Sequence, residues 1–332
     1  MTKLGVFVGE RGLWHFFEEI YADLNAHYET VVFAPKEYRL PIFSERINKW
    51  SYRYAMRSLL KESDVCFFEW ASEMLEVASH MPKYSPIIAR LHSFELADWV
   101  DRINWDHVDK IIFISEAIRR KFVARYGAHS EKTVVVQNAI SVKKFSPVQR
   151  PFDFSLGMLC TIEPIKRVYE VILVVKELRD QGYNPTLHIA GSPHGNNDQD
   201  RYYQAVHGLV EKLDLQNSVK FHGHVNTPST WLKNIDIFIS NSYWEGMQTA
   251  LLEAMASGCY CLGHFWDGVE EALPAENIYG TDSELIQKLV AYFHLSEPER
   301  MERKKQLSQI VDRKFNLEDK KFTLRNIVES FG

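Results

Sequence analysis

Short apolar runs alternate with longer amphipathic segments along the whole chain, and this alternation limits the folds open to it. Runs rich in β-branched and aromatic side chains are typical of strands buried on both faces of a parallel sheet. They fall at 4–8, 30–33, 65–70, 87–91, 110–114 and 133–136, and again at 154–160, 186–190, 219–221, 235–239 and 259–262. Strands that alternate with helices predict an α/β fold with doubly wound sheets.

The polar segment 146–151, which contains two prolines and precedes a strand-like run, indicates a domain boundary. A length of 332 residues suits two domains of about 150 residues each. We expect domains at 1–148 and 149–315, and a helix at 316–332 that packs back on the first domain. Doubly wound sheets bind ligands beyond the carboxyl ends of their strands, so two facing domains predict a site in a central cleft.

Charge and cysteine content restrict the partners and the compartment. The 39 basic and 44 acidic residues give a net charge of −5, which argues against nucleic acid as a partner. No apolar run is long enough to cross a membrane, and the N-terminal segment lacks the order of a signal peptide. All four cysteines lie in apolar runs without a CxxC pattern, which predicts reduced thiols in a cytoplasmic protein.

The most informative segment is 241–258, NSYWEGMQTALLEAMASG, which follows a strand-like run and continues as a helix. Glu245 lies just before the turn at Gly246, and Thr249 and Glu253 share the polar face of the helix. Free N–H groups at a helix start bind phosphate well, and carboxylates accept hydrogen bonds from sugar hydroxyls. The predicted donors are the amides of Gly246, Met247, Gln248 and Thr249.

This segment resembles the E-x7-E motif of glycosyltransferase family 4, where two glutamates eight positions apart stand in an EG…LLEAMASG context. The resemblance implies a GT-B fold, made of two Rossmann-like domains, and a retaining transfer that needs no metal. It implies that Glu245 contacts the donor sugar and Glu253 the nucleotide ribose. Taken singly, each glutamate could equally be a solvated or dipole-favoured acid near a helix start.

Further segments resemble the same family. The run 162–167, IEPIKR, supplies Lys166 and Arg167, which the resemblance assigns to the donor diphosphate, although Met158 stands where the family commonly has arginine. Fixed cations would stabilise the leaving diphosphate. The run 221–225, FHGHV, places His224 near the nucleotide base, and 138–147, NAISVKKFSP, resembles the segment that closes the family's first domain.

Two features of the first half belong to this comparison. Gly9, Glu10, Arg11 and Gly12 follow the first strand, where glycines allow a ligand close to the backbone. The family places this loop beside the donor phosphate and the acceptor. His92 ends the strand 87–91 at a point where the family often has a histidine near the reacting sugar, although a lone histidine there can equally be structural.

Other patterns point elsewhere. Asp198 and Asp200 form a DxD pattern, typical of metal–diphosphate binding in another glycosyltransferase fold, but they lie in a polar loop that we interpret as solvated. Gly5, Gly9 and Gly12 do not form GxGxxG, which argues against a nicotinamide dinucleotide. The segment 39–61 combines basic and aromatic residues at helical spacing. It suits a packed surface helix, peripheral contact with an anionic membrane, or an anionic acceptor.

These patterns together predict a retaining glycosyltransferase that moves a hexose-type sugar from a UDP- or GDP-sugar to a glycan, lipid-linked or small-molecule acceptor. Neither a cofactor nor a metal is expected. Two alternatives stay open: a GT-B-like epimerase acting on the nucleotide sugar, and a non-catalytic donor-binding subunit.

Overall fold

The computed structural model describes residues 1–9, 14, 17–39, 43–193, 195 and 197–332. These residues form two compact units, one of Met1–Gln137 with Glu318–Gly332 and one of Asn138–Leu317. Each unit is built on a six-stranded sheet. The division after Gln137 precedes the expected boundary at 148 and leaves 138–148 in the second unit.

The first unit has the strand order β2-β1-β3-β4-β5-β6, with all described pairs parallel. The buried strands are continuous apolar runs, as in β3, because helices cover both faces of a parallel sheet. The strands are β1 (Lys3–Phe7), β2 (Glu29–Val32), β3 (Val65–Phe68), β4 (Ile87–Leu91), β5 (Lys110–Phe113) and β6 (Thr133–Val135). The helices are α1 (Glu18–His27), α2 (Ser44–Glu62), α3 (Glu73–Ser79), α4 (Glu95–Asp98) and α5 (Glu116–Arg125).

The second unit has the order β12-β11-β10-β7-β8-β9, again with parallel pairs. Counted within the unit this is the 3-2-1-4-5-6 order of a Rossmann sheet. The strands are β7 (Ser155–Leu159), β8 (Thr186–Ala190), β9 (Val219–Gly223), β10 (Ile237–Ser240), β11 (Tyr260–His264) and β12 (Ile278–Tyr279). The helices are α6 (Val168–Asp180), α7 (Arg201–Lys212), α8 (Pro228–Trp231), α9 (Thr249–Ala256), α10 (Val269–Ala272), α11 (Asp282–Phe293) and α12 (Glu297–Lys314).

The last helix, α13 (Leu317–Glu329), packs on α1 within the first unit. Arg325 Nη1 lies 2.6 Å from Asp23 Oδ2, and the Tyr28 hydroxyl donates to the Arg325 carbonyl oxygen at 3.2 Å. Leu324 and Val328 are buried. The predicted α/β fold with doubly wound sheets is therefore confirmed. Over the described residues, no helix combines the length and apolar character needed to cross a bilayer.

Candidate functional site

The strand order of the second unit reverses between β7 and β10, whose residues pair directly. In doubly wound sheets, the loops beyond such a point leave in opposite directions and open a ligand-binding crevice. The chain leaving β7 carries Lys166 and Arg167, and the chain leaving β10 carries the segment 241–248. The fold thus brings two of the predicted motifs to one edge of one sheet.

Lys166 and Glu245 form a mostly buried ion pair. Lys166 Nζ lies 2.8 Å from Glu245 Oε1, and the side chains are 17% and 12% exposed. The Ser242 hydroxyl donates to the same oxygen at 2.6 Å. Burial alone would lower the pKa of Lys166, but the charge of Glu245 and its hydrogen bond raise that pKa above its usual value. Lys166 is therefore a cation at neutral pH, and its partner is the glutamate expected to bind the sugar.

Arg167 is held by a polar cluster at the start of α6. It adopts a left-handed backbone conformation (φ 51°, ψ 42°), which is uncommon for a residue other than glycine. Its guanidinium lies 2.9 Å from Asp282 Oδ1 and 4.9 Å from the ring centroid of Tyr243. Asn241 donates to the Arg167 carbonyl oxygen at 3.0 Å and accepts from the Tyr279 hydroxyl at 2.7 Å.

Arg167 is 7% exposed, and its Nε has no hydrogen-bond partner among the described residues. A buried guanidinium N–H without a partner is costly, so the residue's position needs a further explanation such as a ligand. The sequence did not assign roles to Asn241, Tyr243 or Asp282. Asn241 and Tyr243 belong to the quoted motif, whereas Asp282 lies 115 positions from Arg167 and carries no local signal.

The helix of the motif begins later than predicted. Gln248 is extended (φ −72°, ψ 108°), and α9 starts at Thr249. The unpaired amides of the first turn therefore begin with Thr249, and the expectation that those of 246–248 belong to the helix is wrong. Gly246 and Met247 are buried, and the side-chain oxygen of Gln248 is buried without a partner in the described structure.

Glu253 lies one turn into α9. Burial raises the pKa of its carboxyl from 4.5 to about 7, and the charge of Lys144 partly opposes this effect. A carboxyl desolvated in this way gains from ligand hydroxyls, which restore hydrogen bonds to its ionised form. Glu245 and Glu253 thus have different environments: the first is neutralised by a cation, and the second is mainly desolvated.

His224 and Met158 occupy contrasting positions. His224 is exposed and directly follows β9, the edge strand of the second sheet. Met158, which stands where the related family commonly has arginine, is an uncharged residue buried within β7. The cations near this strand are therefore Lys166 and Arg167, which follow it in the chain. At the end of β8, Gly191 has φ 138°, and a Cβ there would come within 1.8 Å of the Cys160 carbonyl oxygen. Only glycine allows this close approach.

In the first unit, the sheet order changes beside β1 and β3. Gly9 follows β1 with φ 92°, while the predicted loop residues Glu10, Arg11 and Gly12 lie outside the described residues. His92 follows β4 and is buried. Its assigned role beside the reacting sugar stays a prediction.

A buried network surrounds His92 and was not predicted. Glu69 Oε1 lies 2.6 Å from Arg90 Nη1 and 3.1 Å from His92 Nε2. The Trp70 ring stacks on the imidazole at 3.9 Å. Burial lowers the pKa of His92, although the Glu69 carboxylate opposes that effect. The imidazole is therefore neutral at neutral pH, and the contact with Glu69 Oε1 favours the tautomer in which Nε2–H donates.

Glu95 is a second buried acid near this network. Its Oε1 accepts from the Ala71 amide at 3.2 Å. Burial raises the pKa of Glu95 to about 8, so this carboxyl is protonated at neutral pH. The DxD acids of the other unit have ordinary positions: Asp198 is exposed, and Asp200 caps α7 by accepting from the Tyr203 amide at 2.9 Å.

Comparison with known proteins assigns the chain to a family. The family model described as Glycosyl transferases group 1 matches residues 143–308, half of the chain. The chain belongs to this family. The matched range contains Lys166, Arg167, Glu245 and Glu253.

Solved structures that share the fold of this chain align with nearly its whole length. Anabaena HepE, crystallised in complex with UDP and glucose, superposes with a TM-score of 0.78 at 16% identity, covering 99% of this chain and 100% of HepE. Sucrose-phosphate synthase from Thermosynechococcus elongatus gives 0.76 at 12% identity, with 99% of each chain covered. At these identities the likeness shows the fold, which is the two-domain GT-B fold.

Relatives found by sequence are distant. Protein CapJ of Staphylococcus aureus is 22% identical over 202 residues, which is 58% of this chain and 50% of CapJ. An uncharacterized glycosyltransferase of Methanocaldococcus jannaschii is 22% identical over 163 residues, 46% of this chain and 38% of that protein. The chain thus matches half or less of the length of these relatives.

Proposed function

We propose that the chain is a retaining glycosyltransferase of family 4 that moves a hexose-type sugar from a UDP- or GDP-sugar without a metal ion. The observation that carries the proposal is the meeting of Lys166, Arg167 and Glu245 at the strand-order reversal of the second unit. Two cations and a helix start suit a diphosphate, and a carboxylate beside them suits sugar hydroxyls.

Donor binding would rearrange one ion pair. The diphosphate competes with Glu245 for Lys166, which is mostly buried and charged before any ligand arrives. Once Lys166 contacts phosphate, the Glu245 carboxylate loses its charge partner, keeps the hydrogen bond from Ser242 and can accept from the sugar hydroxyls. Glu253 accepts from the ribose hydroxyls, and His224 lies near the base. The site is thus charge-balanced when empty and gains contacts when the donor binds.

The reaction proceeds by displacement on one face of the anomeric carbon. The bond from that carbon to the diphosphate oxygen breaks, and a bond to the acceptor oxygen forms on the same face. The departing phosphate oxygen takes the acceptor proton. Lys166 and Arg167 stabilise the negative charge that develops on the diphosphate, which is the electrostatic role a metal has in other transferases.

The acceptor and the setting of the reaction are also part of the proposal. We assign the acceptor, which is a glycan, a lipid-linked sugar or a small molecule, to the 9–12 loop and His92 of the first unit. The HepE structures contain UDP or UDP-glucose, which makes UDP-sugars the first donors to test. A cytoplasmic enzyme at the inner membrane face would have access to such donors.

Two alternatives use the same donor site. An epimerase would release an isomer of the nucleotide sugar without any acceptor. A donor-binding subunit would bind the nucleotide sugar and leave it unchanged. Analysis of the products formed by the isolated chain distinguishes all three functions.

The test is turnover of UDP- and GDP-sugars by wild type and by Glu245→Gln. We expect transfer or slow donor hydrolysis by the wild type and a loss of at least about a hundredfold in the variant. Glu211→Gln, an exposed site on α7, makes the same chemical change away from the site. Equal turnover by Glu245→Gln and Glu211→Gln would reject the role assigned to Glu245.

A further inference from the structure

One side of α2 presents an unusual set of exposed residues. The side that meets the rest of the unit contains Met56, Leu59 and Leu60, which are buried. A second set of residues, here called the α2 outer face, lies at helical spacing over about four turns. It consists of Arg46, Lys49, Trp50, Arg53, Tyr54, Arg57 and Lys61, all of which are exposed.

The α2 outer face has five basic residues and no acid. The remaining 34 basic residues of the chain are outnumbered by 44 acidic ones. The face is therefore positively charged, whereas the rest of the chain has a net negative charge. Glu45 and Glu62 belong to α2 but lie at its ends. A solvated helix normally mixes both signs of charge, and their separation here indicates an anionic partner.

Two aromatic side chains lie in the middle of the basic residues. Trp50 and Tyr54 are 68% and 63% exposed, and their rings stack at 5.4 Å. Phe43, just before the helix, is 65% exposed and left-handed (φ 62°), an outlier for a bulky residue. Tryptophan and tyrosine have a polar tip on an apolar ring, which suits the boundary between lipid head groups and acyl chains.

The C-terminal part of the face extends onto a neighbouring ring. Arg57 and Lys61 lie over Tyr84, with charge-to-centroid distances of 5.7 Å and 5.0 Å. These contacts place a third aromatic ring beside the two C-terminal cations of the face. From Arg46 to Lys61 the face is about 22 Å long, which allows several lipid head groups to contact it at once.

We propose that the α2 outer face docks on the surface of an anionic phospholipid bilayer, with the helix axis parallel to the membrane plane. The cations bind lipid phosphates, and Trp50 and Tyr54 enter the head-group layer. Each cation near such a surface contributes about fivefold to affinity. A nucleic acid would also pair with the basic residues. However, Trp50 and Tyr54 stack on each other, so fewer of their ring faces are free to stack on bases. Insertion into the head-group layer needs only the ring edges, which both residues expose.

The experiment measures co-sedimentation of the full chain with large vesicles of phosphatidylcholine alone or with about one third phosphatidylglycerol. The test variant is Arg46→Glu/Lys49→Glu/Arg53→Glu. Its matched control is Lys305→Glu/Arg313→Glu/Lys314→Glu, which changes the net charge equally at exposed positions of α12 in the other unit. Nucleotide binding and the melting temperature are measured for every variant, so loss of fold or of the donor site is seen separately.

We expect the wild type to bind the anionic vesicles and not the neutral ones, and the α2 variant to lose about a hundredfold or more. The control should lose less than tenfold. Trp50→Ser/Tyr54→Ser should weaken binding by at least about tenfold and make the remainder fully sensitive to about 0.5 M salt. The proposal is overturned if the wild type does not co-sediment with anionic vesicles, if both charge variants lose binding equally, or if the face binds single-stranded RNA instead.

Discussion

Replacing Glu253 with glutamine should stabilise the protein at about pH 8 while it weakens nucleotide binding. The pKa of this carboxyl is about 7 in the folded chain, against 4.5 ordinarily, because of burial. Below pH 4.5 the group is protonated in both the folded and the unfolded state, so it has no effect on stability. Between pH 4.5 and about 7 it ionises first in the unfolded chain, and the free energy of unfolding falls.

The size of this effect follows from the two pKa values. Their difference corresponds to at most about 3.4 kcal/mol above pH 7. Partial solvent access to the carboxyl reduces this to about 2 kcal/mol. For a unit of this size, that is a rise of about 4 °C to 8 °C in melting temperature for Glu253→Gln. At about pH 5 only about a quarter of this gain should remain.

Glu245→Gln provides the contrasting change within the same motif. Its carboxylate pairs with the mostly buried Lys166, so the amide leaves that cation without its charge partner. We expect a loss of about 1 to 3 kcal/mol and a lower melting temperature. Both variants should bind UDP-sugars and GDP-sugars more weakly. Glu253→Gln should therefore gain stability and Glu245→Gln should lose it, while both lose function.

The assay is thermal unfolding of the wild type and both variants at about pH 5 and about pH 8. Calorimetric titration with nucleotide sugars follows on the same samples. A lower melting temperature for Glu253→Gln at the higher pH would refute the argument that this carboxyl is stabilised mainly as a neutral group.

Two further predictions concern buried contacts. Glu69→Gln removes the carboxylate that partly offsets the effect of burial on the pKa of His92, so that pKa should fall further in an NMR titration. The variant should also lose about 3 kcal/mol of stability, because Arg90 loses its buried charge partner. An unchanged imidazole titration would contradict the contact. Gly191→Ala places a Cβ against a carbonyl oxygen and should cost at least about 3 kcal/mol, whereas Gly208→Ala in α7 has open space around it and should be neutral or stabilising; equal melting temperatures would contradict this.

The strands were predictable because burial on both faces makes each a continuous apolar run. The runs expected in both halves overlap the observed strands, as with 65–70 and β3. The short strand β12 was missed, since two residues contain no periodic pattern. Rossmann order in the second unit could not be derived from the runs themselves, because strand neighbours depend on connections that periodicity does not encode.

The candidate site was predictable where it is local in sequence. The turn at 245–249 and the pair Lys166–Arg167 follow from short motifs. The contacts between them do not, because Glu245 is 79 positions from Lys166 and meets it only through the pairing of β7 with β10. Glu69 was missed for the same reason: in the sequence it is a single acid after a buried strand, and only the neighbouring β4 brings His92 to it.

The α2 segment shows a third limit. Its spacing predicted a helix and left a packed, a membrane-facing and an acceptor-binding helix open. The structure packs the helix through its C-terminal apolar residues and leaves Trp50 and Tyr54 exposed. Sequence periodicity alone does not decide which of two apolar groups on one helix is buried, because that depends on the surface it meets.

The most direct test of the donor site is a calorimetric titration of the wild type and of Lys166→Ala with UDP, GDP and the corresponding nucleosides. A site that binds through the diphosphate should bind at least one nucleoside diphosphate about a hundredfold more tightly than its nucleoside, and Lys166→Ala should remove most of that difference. Equal affinity for nucleoside and diphosphate, or a difference that persists in Lys166→Ala, would contradict a diphosphate-binding role for this edge of the second sheet.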